Sequence, residues 1–393
     1  MPVSRAALPL LVLLVLSISC ASGRQLAGPD AVSDGAGSDD RLSLLSAPVD
    51  PSTLSTVVTG EIRHVIRAQV DDATDPSYGV INDVYGPPTW VVPGDMAVAT
   101  LMLWKAGYVA EARAACDYLA RVQGADGSWA NQYDHDQLSP SSNGWFTRMT
   151  AEVAITLAVV DRGKYEPNLE RAVAWLSRLM DPAIKGGNDD GLLGGGFDRT
   201  GAVIGDRWAS DNSYAVILFD LVGRIDLRDR VLAGIEHVLA QPDRWMRSAH
   251  GDGTAAVAPF DWIDFAPAQM NLARFGVAYP AQLASTIHAQ LAIAAGGDAG
   301  AVRASESSTQ LTPGIGFQAS MVWQLVGDLD DATTHRTWAE ATSGLWQTTP
   351  DANADAGGFI DWKDTANGST APSWQRFIDT SSYYVFVVEG WHY

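Results

Sequence analysis

Residues 95–129 read DMAVATLMLWKAGYVAEARAACDYLARVQGADGSW, and this stretch decides the fold. Apolar residues recur at helical spacing from Asp95 to Ala106, pause at Ala106-Gly107-Tyr108, and resume at the same spacing over 109–122. Asp95 is an N-cap residue type for a helix running from Met96 to Lys105, and Gly107 can stop that helix. So short a break between two helices makes them antiparallel neighbours. A long polar segment then begins at Gln123.

The same unit repeats outward along the chain. Helical periodicity predicts twelve helices, at 52–69, 95–106, 109–122, 145–161, 166–180, 208–223, 227–240, 268–276, 281–295, 314–327, 331–347 and 374–389. Pro167 suits the first turn of its helix, and Gly223 and Gly327 stand just past apolar helix ends. The connections alternate in length. Ala106 to Tyr108, Asp161 to Tyr165, Arg224 to Asp226 and Asp328 to Asp330 are short. Those at about 70–94, 123–144, 181–207, 241–267, 296–313 and 348–373 exceed the roughly 12–15 residues that compact domains tolerate without a functional reason. In a stack of antiparallel helices, alternate connections lie at one end, so the long loops share one rim. Twelve helices then make six hairpins. Closed on themselves they form an all-α (α/α)6 toroid, one helix ring inside another, with a cleft at the loop-rich mouth.

Composition excludes partners more readily than it names one. With 26 Lys plus Arg against 46 Asp plus Glu the formal charge is −20, and 47% apolar residues suffice for a sizeable core. Phosphate neutralisation needs clustered cations, which argues against nucleic acid, and the same charge disfavours anionic membranes and anionic polysaccharides. Arg5, the apolar run Ala6 to Ile18 and the small residues that follow read as a secretory signal over 1–19, too short for a stable membrane span. Its removal takes one Arg and no acid, moving −20 to −21. Ser17-Ile18-Ser19-Cys20 resembles a bacterial lipoprotein signal, though Ser17 stands where an aliphatic residue is usual. Acylation at Cys20 and plain release therefore stay open as equal alternatives. Residues 20–45 suit a flexible tether, and 46–393 remain for the barrel. The expected protein is extracytoplasmic and monomeric, touching a membrane only through an anchor at Cys20. Cys116 lies in a helical pattern as a small buried residue, so neither a disulfide framework nor a Cys-based zinc site can be built.

The long loops hold most of the unusual chemistry. Of 14 Trp, Trp90, Trp129, Trp245, Trp262 and Trp362 lie in them, and Trp145, Trp208 and Trp374 open the helices that follow. Asp83, Asp134, Asp136, Asp206, Asp261, Asp264, Asp361 and Asp364 share the rim. Indole faces beside carboxylates match what neutral sugars need: stacking on C–H faces and acceptors for hydroxyls. Any single Trp here reads more readily as loop packing, and only their collective placement points to a site.

Several segments resemble the six-hairpin glycosidase superfamily, the glucoamylase-like (α/α)6 enzymes. Trp90-Val91-Val92-Pro93-Gly94-Asp95-Met96-Ala97, then Ala106-Gly107-Tyr108, then Asp126-Gly127-Ser128-Trp129 are similar to the barrel segments of those proteins. Asp206-Arg207-Trp208-Ala209-Ser210-Asp211-Asn212-Ser213-Tyr214 resembles a stretch common in bacterial members, and Trp374 with Thr380-Ser381-Ser382-Tyr383-Tyr384 resembles their final inner helix. The resemblance covers most of 80–390 and rests on the order of the motifs. It implies a carbohydrate-active protein. The residues expected to contact an oligo- or polysaccharide are Trp90, Trp129, Trp145, Arg148, Arg207, Trp208, Asn212, Tyr214, Trp262, Trp362 and Trp374, with a solvated or N-capping role as an equal alternative for Arg148 and Arg207. A weaker resemblance, to squalene-cyclase and prenyltransferase α-barrels, comes from Gln123-x-x-x-Gly127-x-Trp129 and from Asp328-Leu329-Asp330-Asp331. The first occurs once, and the second falls in a short turn where an acidic N-cap explains it.

Glycoside hydrolysis needs two carboxyls across the scissile bond, one of them kept protonated by an apolar surround. Asp95 and Asp211 form the leading pair, each at the mouth end of an inner helix, with N-capping as the rival role of Asp95. Asp261 and Asp264, flanking Trp262, are the reserve, along with Asp361 beside Trp362. No glucoamylase-type Glu pair is present, because loops 123–144 and 181–207 contain no Glu. Gly194-Gly195-Gly196 has neither the strand nor the Lys of a phosphate cradle, and no nucleophile elbow or zincin His pair occurs. Asp351 to Gly357 resembles the start of a calcium loop without its sixth-place Gly or twelfth-place Glu, so a structural Ca2+ is a minor alternative and no other cofactor or metal is expected. The expectation is a glycoside hydrolase acting on a neutral oligo- or polysaccharide. Its alternatives are a non-catalytic glycan-binding lipoprotein on the same scaffold and a terpene-cyclase-like enzyme.

Overall fold

The structure is a computed structural model that describes residues 47–83, 90–134, 139–140, 144–241, 244–245, 248–250, 255–256, 271–272, 275, 287–305, 307–346, 358–371 and 378–391. Its helices are α1 (Thr56–Arg67), α2 (Pro93–Lys105), α3 (Val109–Val122), α4 (Thr147–Arg178), α5 (Ala209–Leu221), α6 (Ile225–Gly234), α7 (Pro313–Val326), α8 (Leu329–Thr337) and α9 (Ile378–Glu389). They form the all-α toroid, an inner ring packed inside an outer one.

Burial separates the rings. Nearly every side chain of α2, α5, α7 and α9 is buried, as for a helix surrounded on all sides. In contrast, α3, α6 and α8 bury one stripe and show the other face to water. Along the inner ring α2 packs on the first arm of α4, and α4 on α5. Closure comes from α9, which packs on both α7 and α2. The outer partner of α9 is α1, so the last hairpin joins the two ends of the chain.

One buried carboxylate fastens that joint. Glu61 of α1 accepts Trp346 Nε1–H at 2.8 Å, the Gly358 backbone N–H at 2.9 Å and Ser381 Oγ–H of α9 at 3.0 Å. Gly358 has φ 80°, and a Cβ there would lie 2.5 Å from the buried His64 ring, so only glycine brings its N–H to Glu61. Trp346 in turn stacks on Phe359 at a centroid distance of 5.5 Å.

Several sequence-predicted boundaries move for identifiable reasons. The helices expected at 145–161 and 166–180 are two arms of α4, broken at Asp161 (φ −162°, ψ 81°), whose carboxylate accepts the Lys164 N–H. The second arm therefore starts at Arg162, and Pro167 lies beyond its first turn. Thr56, not residue 52, begins α1, because a 3-10 turn at Pro51–Thr53, capped by Asp50, precedes it. Of the helix expected over 281–295, residues 281–286 lie outside the described residues, and the described part is a π-helical turn at Ile287–Leu291, after which Ala292 bridges Val302. That expected over 331–347 begins at Leu329 and passes through a π-helical turn at Trp338–Thr342. The predicted 268–276 helix lies largely outside the described residues. Gly107, Gly223 and Gly327 follow their helices at φ near 80°, as expected.

The long loops are not featureless. Strands β1 (Tyr133–Asp134) and β2 (Ser139–Pro140) pair in loop 123–144, while β3 (Gly144–Phe146), β4 (Gly196–Asp198) and β5 (Val203–Ile204) build a three-stranded ribbon across two loops. The glycine run finds its explanation here. A Cβ on Gly196 would sit 2.1 Å from the Trp145 carbonyl, and one on Gly195 3.0 Å from Ile204, so the chain enters β4 between its neighbours only because these two positions are glycine. At the opposite end of the toroid, Asp328 N-caps α8 by accepting the Asp331 N–H at 3.1 Å, the role expected of that acidic turn.

Candidate active site

The N-termini of the inner helices converge at the mouth, and their first two turns carry the acids. Asp95 lies in the first turn of α2, Glu152 in the second turn of α4 and Asp379 in the first turn of α9. Asp83, from loop 70–83, completes the group. The loop is stitched to the barrel because the Asp83 carbonyl accepts the Ile378 N–H at 3.2 Å.

Asp95 does not cap its helix. Pro93, whose fixed φ suits a first helical position, begins α2, and Val92 occupies the cap without a side-chain bond. The Asp95 carboxyl is thereby released from capping and faces Asp83, Asp379 and Glu152. The approach of α4 depends on Gly94: a Cβ at that position would lie 2.8 Å from Glu152 Oε2.

The cluster has a floor and a wall. Asp83 and Glu152 are buried at 1% and 3% exposure, with Tyr214 and Tyr383 beside them at 1% and 4%. Asp95, Asp379 and Arg148 keep partial exposure and are the groups a ligand in the mouth can reach. Arg148 is the cation of this group. It lies 3.6 Å from Glu152 and 5.2 Å above the Tyr214 ring, holding a charge over an aromatic face.

Burial is the largest influence on Asp83, Asp379 and Asp95. It raises Asp83 to about 7, opposed by hydrogen bonds from Asp95 and Trp90. Asp379 rises to about 6, opposed chiefly by the Thr380 N–H, which it accepts at 2.6 Å. Asp95 is raised furthest, by burial and then by the charges of Asp83 and Asp379. Hydrogen bonding agrees with this order. Asp83 Oδ2 accepts Trp90 Nε1–H at 2.8 Å, whereas Asp83 Oδ1 is buried and finds no donor unless Asp95 carries a proton. A proton shared between Asp83 and Asp95 satisfies that oxygen, and the two carboxyls titrate as a pair. The Tyr383 hydroxyl is also pushed well above its ordinary range by burial, so it stays neutral and can donate a hydrogen bond.

The other sequence-predicted positions fall into three groups. Trp90, Trp145, Arg148, Trp208 and Trp362 keep partial exposure at the mouth end. Trp129, Arg207 and Asn212 do not, and each has a structural partner instead. Trp129 is fully buried and donates its indole N–H to the Leu119 carbonyl at 2.7 Å. Arg207 is fully buried in β6 (Arg207–Trp208), 2.9 Å from Asp190, which also binds Lys185 at 2.9 Å. Asn212 clamps loop 181–207 by accepting the Leu193 N–H and donating to the Trp208 carbonyl, both at 2.8 Å. None of the three offers a sugar a free face. The side chains of Asp211 and Tyr214 are buried in the first two turns of α5, 8% and 1% exposed. Cys20, Asp261, Trp262, Asp264, Trp374 and the loop from Asp351 to Gly357 lie outside the described residues. Glu152, Asp379 and the pairing of Asp83 with Asp95 were not singled out from sequence. Asp379 had a legible signal, since it holds the first-turn position of an inner helix, as Asp95 and Asp211 do.

No family model and no curated protein matches the chain. Solved structures do. A glycosidase aligns over 90% of this chain and 98% of its own, with 12% identity and a TM-score of 0.58. The cellobiose 2-epimerase of Bacillus thermoamylovorans aligns over 84% and 96%, with 11% identity and a TM-score of 0.60.

The chain has the six-hairpin (α/α)6 fold.

A D-mannose isomerase shares it as well, over 88% of this chain and 100% of its own, at 12% identity and a TM-score of 0.58. The same toroid therefore serves proteins whose names record hydrolysis, isomerisation and epimerisation, and the chemistry has to be argued from the site.

Proposed function

We propose that this protein is a carbohydrate-active enzyme that hydrolyses a glycosidic bond at the acid cluster of the mouth. The observation that carries this is the contrast between two reachable carboxyls. Asp95 is held protonated beside Asp83, while Asp379 loses its proton near pH 6. Two carboxyls whose surroundings push their titrations apart are what acid-assisted glycoside cleavage requires. Asp95 is the general acid and donates to the departing glycosidic oxygen. Asp379 is the ionised partner that handles the anomeric carbon or its attacking water. Once Asp95 has lost its proton, two adjacent buried charges at Asp83 and Asp95 favour its return. Trp90 holds Asp83, Arg148 balances Glu152, and the half-exposed Trp side chains give the sugar apolar faces.

Epimerisation abstracts a proton from carbon and calls for a base poised near neutrality. Asp379, titrating near 6, would suit that role too, so the preference for hydrolysis rests on the raised carboxyl of Asp95, placed to donate to a departing glycosidic oxygen. The substrate class we propose is a neutral oligo- or polysaccharide, met outside the cytoplasm by a protein either released or anchored at Cys20.

A panel of neutral oligosaccharides and polysaccharides, followed by reducing-end release, tests this. Native protein should release sugar from at least one member, and Asp95→Asn and Asp379→Asn should each abolish release while still binding that member. Binding by the native protein without any release favours the glycan-binding alternative. Neither binding nor release across the panel defeats the proposal.

A further inference from the structure

A second aromatic feature lies on the three-stranded ribbon that leads into α4, walled by the ends of outer helices. Strands β3 and β4 pair antiparallel with Trp145 directly opposite Phe197, which places both rings on one face of the ribbon. They line a cavity of about 350 Å3 together with Ile184, Gly201, Arg178 and Asp126. Such a volume falls within the range of small-ligand pockets. Arg178 ends the second arm of α4, Asp126 follows α3 and Ile184 belongs to the turn after α4, so the walls come from outer-helix ends. The acid cluster, in contrast, is built from α2, α9, the inner arm of α4 and loop 70–83.

The polar groups of this cavity are held but not used up. Asp126 Oδ1 accepts the Ser128 N–H and Oγ–H at 3.1 and 2.7 Å, which fixes the carboxylate. Its other oxygen lies 3.6 Å from Arg178 Nη2, beyond hydrogen-bond reach, with the two side chains 48% and 55% exposed. An acceptor and a fork of donors thus stand at the edge of an aromatic floor. Phe197 is backed by Trp175, edge to face at 6.1 Å, so the floor is rigid. Gly144 and Gly196, at φ 153° and 120°, let the strands close beneath it. Flat apolar C–H faces ringed by hydroxyls are the complementary shape and chemistry: a pyranose.

We infer that Trp145, Phe197, Arg178 and Asp126 form an accessory carbohydrate site that holds one pyranose unit of a glycan chain on the outer rim. The inference rests on the protein handling carbohydrate, but not on catalysis at Asp95. Its role is to retain a long chain near the mouth, so it should matter for polymers and not for short oligosaccharides.

Affinity electrophoresis through native gels containing soluble dextran, mannan, xylan or mixed-linkage β-glucan tests it. The native protein should be retarded by at least one polymer. Stacking on an aromatic face and a hydrogen bond to a hydroxyl are each worth about 1 kcal/mol, so Trp145→Ala and the exposed-site variant Arg178→Gln should each weaken that retardation roughly fivefold. Asp95→Asn should be retarded as strongly as native protein, which separates this site from the catalytic proposal. Unaltered near-ultraviolet circular dichroism of Arg178→Gln guards against misfolding as the cause. Native-like retardation of both platform variants, or no retardation of native protein by any polymer, overturns the inference.

Discussion

The indole N–H of Trp90 donates to Asp83 Oδ2 at 2.8 Å. That bond occupies one oxygen of Asp83 and leaves the other for Asp95, with which Asp83 is coupled. Trp90 belongs to the rim by sequence, yet the edge of its ring serves the acids while its exposed part stays available to a ligand.

Replacing Trp90 by Phe should therefore disturb chemistry more than binding. The variant keeps an aromatic face and loses only the N–H that favours ionised Asp83. A hydrogen bond to a charged group is worth about 1.5–3 kcal/mol, so kcat should fall by roughly ten- to a hundredfold with little change in KM. An equal rise in KM at unchanged kcat would assign Trp90 to binding alone.

Asp379 sets the acidic limb of the pH profile. It must be ionised to act, so kcat should decline as pH drops below about 6. Asp95 must be protonated, and its raised titration extends the working range upward beyond ordinary carboxylates. A flat profile between pH 4 and 7 would contradict these assignments.

Stability should move oppositely to activity across the same window. Asp379 and Asp83 titrate near 6 and 7 when folded against 3.8 for an ordinary aspartate, so the folded state binds more protons between those values. Their stabilising contribution is complete below about pH 4 and is lost as pH rises toward 7. At pH 8, Asp379→Asn should consequently be more stable than native protein, by up to about 3 kcal/mol, while inactive. Denaturant melts at pH 5 and pH 8 measure this, and a variant less stable at pH 8 speaks against a strained cluster.

Glu61 should behave as a latch without a catalytic part. Its two oxygens accept three donors from three segments, so Glu61→Gln turns an amide N–H toward either the Trp346 or the Gly358 N–H, neither of which can accept. An unsatisfied buried donor costs about 1–3 kcal/mol, to be read as a lower urea midpoint, with kcat close to native. A native midpoint would mean that helix packing alone closes the ring.

The fold was legible because hairpin periodicity is local: Asp95 to Val122 spells two helices and a turn without reference to anything distant. The site was only half legible, because its members meet through ring closure. Asp83 and Asp379 are nearly 300 positions apart in sequence and are brought together where the Ile378 N–H reaches the Asp83 carbonyl and α9 packs on α2. Trp129 and Arg207 misled for the converse reason. Loop residues next to a rim can still turn inward, and Trp129 does so to reach the Leu119 carbonyl. Asp95 looked like a cap because composition does not reveal that Pro93 starts the helix two residues earlier.

The proton on Asp95 is the most direct test, and it needs no substrate. An infrared difference spectrum between native protein and Asp95→Asn at pH 7 should contain a protonated carboxyl C=O stretch, absent from the variant and unchanged on lowering the pH to 5. A spectrum showing only ionised carboxylate for Asp95 at pH 7 would contradict its role as the acid.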